Sequence, residues 1–249
     1  MLGKTIIKLD EVDSTNLEIK RRLETAELDE GTIVLADMQN LGKGRLGRVW
    51  NSPKGVGIWL SILLYPDLSP TQIPTLTLVA GLSMAQAIQA VTAQNVLIKW
   101  PNDLVLNNKK ICGILSELVV HPKKAVIIGI GVNVNTTNFD ESLPHASSLY
   151  LECNKKFKRQ DIIDKFINIF DKLYNEYIMQ KDFTPFIDTY KDLCLNINKE
   201  VYVHQNKETY RAKVIDITKE GNLWVKNDKG DIIQISSGEV SIRGIYGYV

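Results

Sequence analysis

A chain of 249 residues with 44% hydrophobic and 24% charged residues can bury a full core and has room for one large domain and a small one. Its 30 Lys and Arg against 29 Asp and Glu leave a net charge of +1, which argues against a nucleic-acid backbone as the main partner. Cys112, Cys153 and Cys194 are odd in number and widely spaced, and His121, His145 and His204 are scattered, which excludes a disulfide framework, a CxxC metal site and a zinc cluster.

In chain order, Met1-Leu2-Gly3-Lys4 runs straight into a strand-like Thr5–Leu9 with no signal-peptide core. No apolar run approaches the roughly 18 residues that a membrane span needs, so a cytoplasmic protein without a membrane partner is expected. Leu17 and Leu23 among charged neighbours predict a helix over 16–27, with Ser14 as its N-cap. Thr32–Ala36 reads as a buried strand and Gly57–Leu64 as its return. Leu76, Val79, Leu82, Ala85 and Ile88 describe one face of a helix within 73–91, and Pro74 fits its first turn. Strand signals then crowd 96–99, 104–106, 111–120 and 125–134, with Asn107-Asn108-Lys109-Lys110 as a hairpin turn. Residues 159–193 read as two helices, the first carrying Ile162, Phe166, Ile169, Phe170, Leu173 and Tyr177 on one face.

From Glu200 the texture changes. Short strands punctuated by Glu220-Gly221-Asn222, Asp228-Lys229-Gly230 and Ser236-Ser237-Gly238 suggest a small SH3-like barrel. The expected class is α+β: a mixed sheet with flanking helices over 1–197 and the barrel over 198–249.

Three clusters carry chemistry. Gly42 to Arg48 packs three glycines and three cations (Lys43, Arg45, Arg48) into seven residues and runs on to Trp50. Glycines let backbone N–H groups converge on an anion, and the cations add charge for phosphate or carboxylate. The spacing imitates a dinucleotide fingerprint, with Asp67 at the right distance, but a strand follows where that motif needs a helix. It also imitates a kinase glycine-rich loop, yet no His-Arg-Asp or Asp-Phe-Gly follows. The second cluster is Lys99-Trp100-Pro101-Asn102-Asp103-Leu104, followed by Lys110 before the apolar Ile111–Leu115, which places an ammonium at the edge of a dry cleft. The third is Gly129-Ile130-Gly131-Val132-Asn133, where glycines in a strand indicate a bulge or close approach of a ligand.

Together with an upstream Asp13-Ser14-Thr15-Asn16, these clusters resemble the biotin–protein ligases over the whole chain. That family's loop usually has arginine where this chain has Lys43, which keeps the charge but loses the bidentate fork. Some family members also carry an N-terminal DNA-binding domain; the expectation here is the monofunctional type without sequence-specific DNA binding.

The resemblance implies the biotin–lipoate ligase fold, related to class II synthetases, and an ATP-dependent reaction in two steps. Biotin is activated as biotinyl-5′-AMP, then transferred to a lysine of a biotin carboxyl carrier protein, such as that of acetyl-CoA carboxylase. ATP, biotin and phosphate-bound Mg²⁺ are the implied small molecules, with no protein metal site. Lys110 and Arg45 are the implied charge-stabilising pair. Biotin falls to Ser14, Thr15, Asn16, Gln39, Gly42, Lys43, Gly44, Arg45, Lys110, Gly113 and Ile114. The nucleotide falls to Arg45, Arg48, Trp50, Asn102, Asp103, Lys110 and Asn133. Dimerisation through a sheet edge is common in the family, so a homodimer is allowed. A lipoate or octanoyl transferase shares the implied fold but lacks the Lys-Trp-Pro-Asn-Asp and glycine–arginine pairing. A non-catalytic biotin-binding regulator would not need both Arg45 and Lys110.

Overall fold

The computed structural model describes residues 2–121, 123–205, 208–237 and 241–244; Met1 and the turn residue Gly238 lie outside the described residues. Strands β1 (Ile6–Val12), β2 (Ile33–Gln39), β3 (Gly57–Leu64), β4 (Leu97–Lys99), β5 (Asp103–Leu106), β6 (Lys109–Val119) and β7 (Ala125–Asn133) form one mixed sheet. Their order is β1-β2-β3-β7-β6-β5-β4. The β1–β2 pair is parallel, because helix α1 (Thr15–Thr25) supplies the crossover that a parallel pair requires. The other neighbours are antiparallel. Between β5 and β6, Asn107 (φ 49°) and Asn108 (φ 63°) both take positive φ, the twist-matched hairpin geometry that asparagine tolerates.

The two-residue period of β7 divides the core. Val126, Ile128, Ile130 and Val132 enter the large core under helices α2 (Thr75–Thr92) and α4 (Arg159–Gln180). Ala125 and Ile127 face the other way, into a smaller cluster with Ile19 and Leu23 of α1. The same face continues as Gly129, Gly131 and Asn133. One end of the α1 side is therefore filled by side chains and the other is left hollow.

Helix α2 differs from its one-faced expectation, since 14 of its 18 residues are buried. It is long and apolar enough to cross a bilayer, yet 78% of it lies inside the protein, as a core helix does. Strands β4–β6 and α4 pack against it, and the C-terminal sheet covers its first turn. On α4 the expected face holds for Ile162, Phe166, Phe170 and Tyr177, joined by Ile163 and Tyr174, while Ile169 and Leu173 are only partly buried. Phe166 and Phe170 stack with centroids 5.3 Å apart. The short helices α3 (Leu149–Cys153) and α5 (Ile187–Leu193) complete the domain; α3 is too brief to show a period.

Strands β8 (Glu200–Gln205), β9 (Glu208–Ile217), β10 (Leu223–Asn227), β11 (Ile232–Ile235) and β12 (Ser241–Gly244) make an antiparallel sheet ordered β11-β10-β9-β8-β12, the SH3-like unit. Its apolar face is continuous with the large core: Val201, Val214 and Leu223 join the cluster that holds Ile98 and Trp100. The junction turns on Gly221. Its carbonyl accepts from Trp100 Nε1 at 3.0 Å, and the Glu220 carbonyl accepts from Thr75 Oγ1 at 2.8 Å. Gly221 has φ +79°, and a Cβ there would stand 2.5 Å from Leu78 Cδ1.

A shared core predicts shared unfolding. Gly221→Ala should lose about 1–2 kcal/mol from the left-handed backbone alone, before the contact with Leu78 is counted. Chemical denaturation followed by tryptophan fluorescence and by circular dichroism should give one coincident transition, lowered in the variant. Two separate transitions would contradict the shared core.

Candidate active site

The glycine–cation segment leaves β2 and folds into a narrow hairpin of its own. Trp50 N donates to the Gly42 carbonyl at 2.8 Å and Gly44 N to that of Arg48 at 2.8 Å. Between them Arg45–Gly47 makes a 3-10 turn in which Leu46 (φ 57°) and Gly47 (φ 72°) are left-handed. Gly42 departs from expectation: it does not face the cavity below. Any Cβ on it would run into the Trp50 carbonyl, so it serves to close the hairpin.

Under this hairpin lies a cavity of about 460 Å³, bounded by α1, β6, β7, the turn before β5 and the barrel strand β12. Its floor is cut by glycines, on the face that β7 leaves hollow. A Cβ on Gly113 would meet Trp50 Cζ3 at 2.8 Å, one on Gly131 would strike the Trp50 indole, and one on Gly129 would strike the Asn16 amide. Trp50 therefore lies on the floor itself, with Lys110 Nζ 5.1 Å from its ring centroid. Ile114 reaches the cavity through its backbone. Alternation turns its side chain into the core, 2% exposed, and what it gives the site is a carbonyl that accepts from Asn102 Nδ2 at 3.1 Å.

One end of the cavity is neutral and hydrogen-bonding. Ser14 occupies the N-cap position of α1, but its side chain makes no capping bond; its N–H is taken by Asp13 Oδ1 at 2.6 Å. Thr15 N donates to Gln39 Oε1 at 2.9 Å, and Gln39 Nε2 donates to Ser52 Oγ at 2.8 Å. Ser61 Oγ bridges Thr15 Oγ1 and Asn16 Oδ1 at 2.6 and 2.5 Å. Asn16 Nδ2 donates to Glu117 Oε2 at 2.6 Å, and Lys20 Nζ meets the other oxygen at 2.7 Å. Burial raises the Glu117 pKa, but the Lys20 and Asn16 bonds outweigh it, and the carboxyl sits below its ordinary range.

The other end is cationic. Lys43, Arg45, Arg48, Lys99, Lys110 and Arg243 line the cavity among the described residues, against one lining carboxylate, Asp103. Lys110 Nζ lies 2.6 Å from Asp103 Oδ1, which also accepts from Asn102 Nδ2 at 3.1 Å. Arg45 reaches across the site: Nη1 donates to Asn102 Oδ1 at 2.8 Å and Nη2 to the Ser237 carbonyl of the barrel at 3.0 Å. Burial lowers the pKa of this guanidinium. Lys99 is 5% exposed, and burial pushes its ammonium down to about 8 despite the attraction of Asp103. Asn133 is buried, with Nδ2 donating to the Ser147 carbonyl at 3.0 Å, so it also ties β7 to the segment before α3.

The structure thus brings Ser14, Thr15, Asn16, Gln39, Lys43, Gly44, Arg45, Arg48, Trp50, Asn102, Asp103, Lys110, Gly113, Ile114 and Asn133 to one cavity. Sequence reasoning placed Lys99 in the second cluster without assigning it a contact, and gave no role to Ser61, Glu117 or Arg243. A lysine inside the apolar run 96–100 and a serine inside the otherwise apolar β3 were the available signals for the first two. Glu117 and Arg243 carried none, since their roles depend on the register of β6 and on the docking of β12.

A cavity with a neutral recognition end and an anion-collecting end, on a mixed sheet closed by a glycine hairpin, defines a protein that holds a polar-headed ligand beside a polyanion. The Biotin/lipoate A/B protein ligase family matches residues 9–135, and the Biotin protein ligase C terminal domain matches residues 197–243. The bifunctional ligase/repressor BirA of Bacillus spizizenii is 35% identical over 247 residues, covering 97% of this chain and 75% of that protein. BirA of Escherichia coli is 31% identical over 245 residues, with the same two coverages, 97% and 75%. Biotin protein ligase from Aquifex aeolicus in complex with biotin and ATP matches at a TM-score of 0.84 and 32% identity, over 97% of this chain and 100% of that one. The chain belongs to the Biotin/lipoate A/B protein ligase family, and within it to the biotin protein ligases.

Lys99 gives the site a pH signature. Its ammonium is charged below about pH 8 and neutral above, so affinity for inorganic pyrophosphate should fall as pH rises through that value. Lys99→Met should remove the step in titration calorimetry. Folding stability responds with the opposite sign. The folded pKa lies below the ordinary 10.5, so the unfolded chain binds more protons between about 8 and 10.5, and stability from this group rises with pH across that window.

Proposed function

We propose that the chain is an ATP-dependent biotin–protein ligase that forms biotinyl-5′-AMP and transfers biotin to one lysine of a biotin carboxyl carrier domain of a biotin-dependent carboxylase. The observation that carries this reading is the cavity of about 460 Å³, with hydrogen-bonding groups at Thr15 and Asn16 and six cations among its lining residues. The reaction joins two anions, a carboxylate and an α-phosphate, and that is the meeting a cationic end favours.

In this reading Ser14, Thr15, Asn16 and Gln39 hold the ureido ring, and the glycine floor at Gly113 accepts the bicycle. Lys110 and Arg45 neutralise charge between carboxylate and α-phosphate. Arg48, Asn102, Asp103 and Asn133 serve the nucleotide, and Trp50 offers a ring face to adenine. Gly42, Lys43 and Gly44 give the hairpin its backbone freedom and a further charge. Mg²⁺ arrives as part of MgATP, since one lining carboxylate already engaged by Lys110 makes a poor cage. Neither step needs a covalent enzyme intermediate, so positioning and charge stabilisation supply the catalysis. The catalytic unit is 1–197 and the C-terminal unit 198–249; the described part of the latter meets the hairpin at Ser237 and adds Arg243 to the cavity wall.

Biotin-dependent ATP–pyrophosphate exchange tests the reading directly, and octanoate or lipoate in place of biotin should give none. Lys110→Ala should lower the exchange rate about 100-fold or more, roughly 3 kcal/mol of transition-state stabilisation, while biotin binding alone suffers far less. Exchange near the wild-type rate would remove Lys110 from the role. Arg45→Gly cuts the bonds to Asn102 and Ser237 without touching the neutral end. The adenylate should then leave sooner and biotinylate bystander lysines; labelling confined to the carrier domain, with an unchanged adenylate off-rate, would contradict a clamp at Arg45.

A further inference from the structure

Strand β6 pairs with β7 only from Cys112 onward, so Lys110 takes a different neighbour. Lys110 N donates to the His145 carbonyl at 2.7 Å, and Ser147 N donates to the Lys110 carbonyl at 2.9 Å. The two bonds make a parallel bridge between Lys110 and Ala146. Residues 142–146 line the cavity, so the segment that walls the site also holds the Lys110 backbone. On its other flank Lys110 is held by the β5–β6 hairpin, where it lies opposite Val105 and its neighbour Lys109 lies opposite Leu106.

Glu152 of α3 joins these two flanks. Its Oε1 accepts from Ser147 Oγ at 2.5 Å and lies 3.6 Å from Lys109 Nζ, while its Oε2 accepts from Asn107 Nδ2 at 3.0 Å. A carboxylate can only accept, so these directions are fixed. The side chain is 10% exposed, and Ser147 is buried at 1%. One carboxylate largely withdrawn from water thus takes three donors, two from the turn before Lys110 and one from the wall beside it. Helix α3 presents it from a fixed seat: Ser148 Oγ donates to the Thr136 carbonyl at 2.6 Å and accepts from Leu151 N at 3.1 Å.

A lysine reaches its ammonium through four rotatable bonds, so placing that charge requires both ends to be held. Asp103 holds the ammonium of Lys110 at 2.6 Å. We propose that Glu152 is a positioning residue for Lys110: by tying Ser147 to the Asn107–Lys109 turn, it fixes the backbone from which Lys110 reaches the reacting anions. This rests on the biotin-ligase reading and deepens it. Glu152 is not among the residues that line the cavity, and it acts through the frame around Lys110.

The test is steady-state ATP–pyrophosphate exchange, with biotin and MgATP varied separately and each variant assayed well below its melting temperature. Glu152→Ala should lower kcat about tenfold, the cost of a slight misplacement of a charge-stabilising group, with the biotin KM within about twofold of wild type. Ser147→Ala cuts the same tie from the wall. It should reproduce that split, and it gives an independent reading if Glu152→Ala fails to fold. Glu152→Gln keeps an acceptor oxygen for Ser147 and should hold kcat within about threefold of wild type. In a Lys110→Ala background, adding Glu152→Ala should change the residual rate by less than about twofold, because the two act in series. A role in general stability predicts a further full loss there, and that additivity overturns the assignment. A kcat near wild type in both Glu152→Ala and Ser147→Ala overturns it too, as does a rise in biotin KM as large as the fall in kcat. Wild-type protein without biotin-dependent exchange would instead overturn the ligase reading itself.

Discussion

A sheet that packs on both faces leaves no room for a ligand unless some strand positions withhold their side chains. Here β6 and β7 withhold them at Gly113, Gly129 and Gly131, where any Cβ would collide with Trp50 or Asn16. Glycine inside a strand costs backbone entropy and gives nothing to pack, so three on one hollow are a standing expense in stability. The rest of the site leans on that vacancy. Trp50 can lie flat on the floor only because the floor is backbone, and Asn16 can press against β7 only because residue 129 has no side chain. The opposite face of the same strands, Val126 to Val132, keeps its large residues and anchors the trough to the main core. Alternation lets two neighbouring residues serve opposite ends: one builds the protein and the next opens it.

Gathering six cations against one lining carboxylate, among the described residues, within a partly buried cavity is electrostatically unfavourable. Desolvation lowers the pKa of Lys99 to about 8 and that of Arg45 as well, and in both cases it outweighs the attraction of Asp103. Asp103 relieves part of it by pairing with Lys110 at 2.6 Å, which also keeps that ammonium from swinging to solvent. An arriving polyanion relieves the remainder. In the proposed reaction the electrostatic strain of this cluster becomes attraction for developing negative charge, which preorganised cations stabilise without further reorganisation. The neutral end follows the opposite rule. Its charged pair, Lys20 and Glu117, is joined at 2.7 Å and meets the Thr15 side of the cavity through Asn16.

Local patterns carried much of this into the sequence. The hairpin at Asn107 and Asn108 needs nothing beyond two residues tolerant of positive φ, and both take it. The glycine hairpin and the Lys-Trp-Pro-Asn-Asp turn announced themselves by composition, and both reach the cavity. What escaped was set by distance or by handedness of a face. Ser14 looked like a cap because its residue type and position fit, yet Asp13 takes its N–H and the hydroxyl makes no capping bond. Ile114 sits beside Gly113 among the biotin contacts that the resemblance implies, but on β6 the two point to opposite faces. Helix α2 showed one apolar stripe because its other faces are covered by α4 and by residues more than 100 positions away, which no local period encodes.

The barrel is the largest example of that non-local information, and it changes what the active site is. Arg45 sits on the glycine hairpin, yet its Nη2 donates to the Ser237 carbonyl, 192 residues along the chain. Arg243 from β12 joins the same cationic wall. The barrel in turn is seated by Trp100, whose indole N–H meets the Gly221 carbonyl and whose neighbour Lys99 points its ammonium into the cavity's charge cluster. One short segment, Lys99 to Asp103, therefore touches the barrel through Trp100, the hairpin through Asn102 and the cavity's charge cluster through Lys99 and Asp103. A displacement of the barrel would be felt by the hairpin at Arg45 and by the charge cluster through Trp100, along two separate lines of bonded contact. Small shifts of a packed junction are carried by rigid neighbours because the core between them is close-packed and resists compression. The C-terminal sheet is thus a wall of the active site in the same physical sense as β6 and β7.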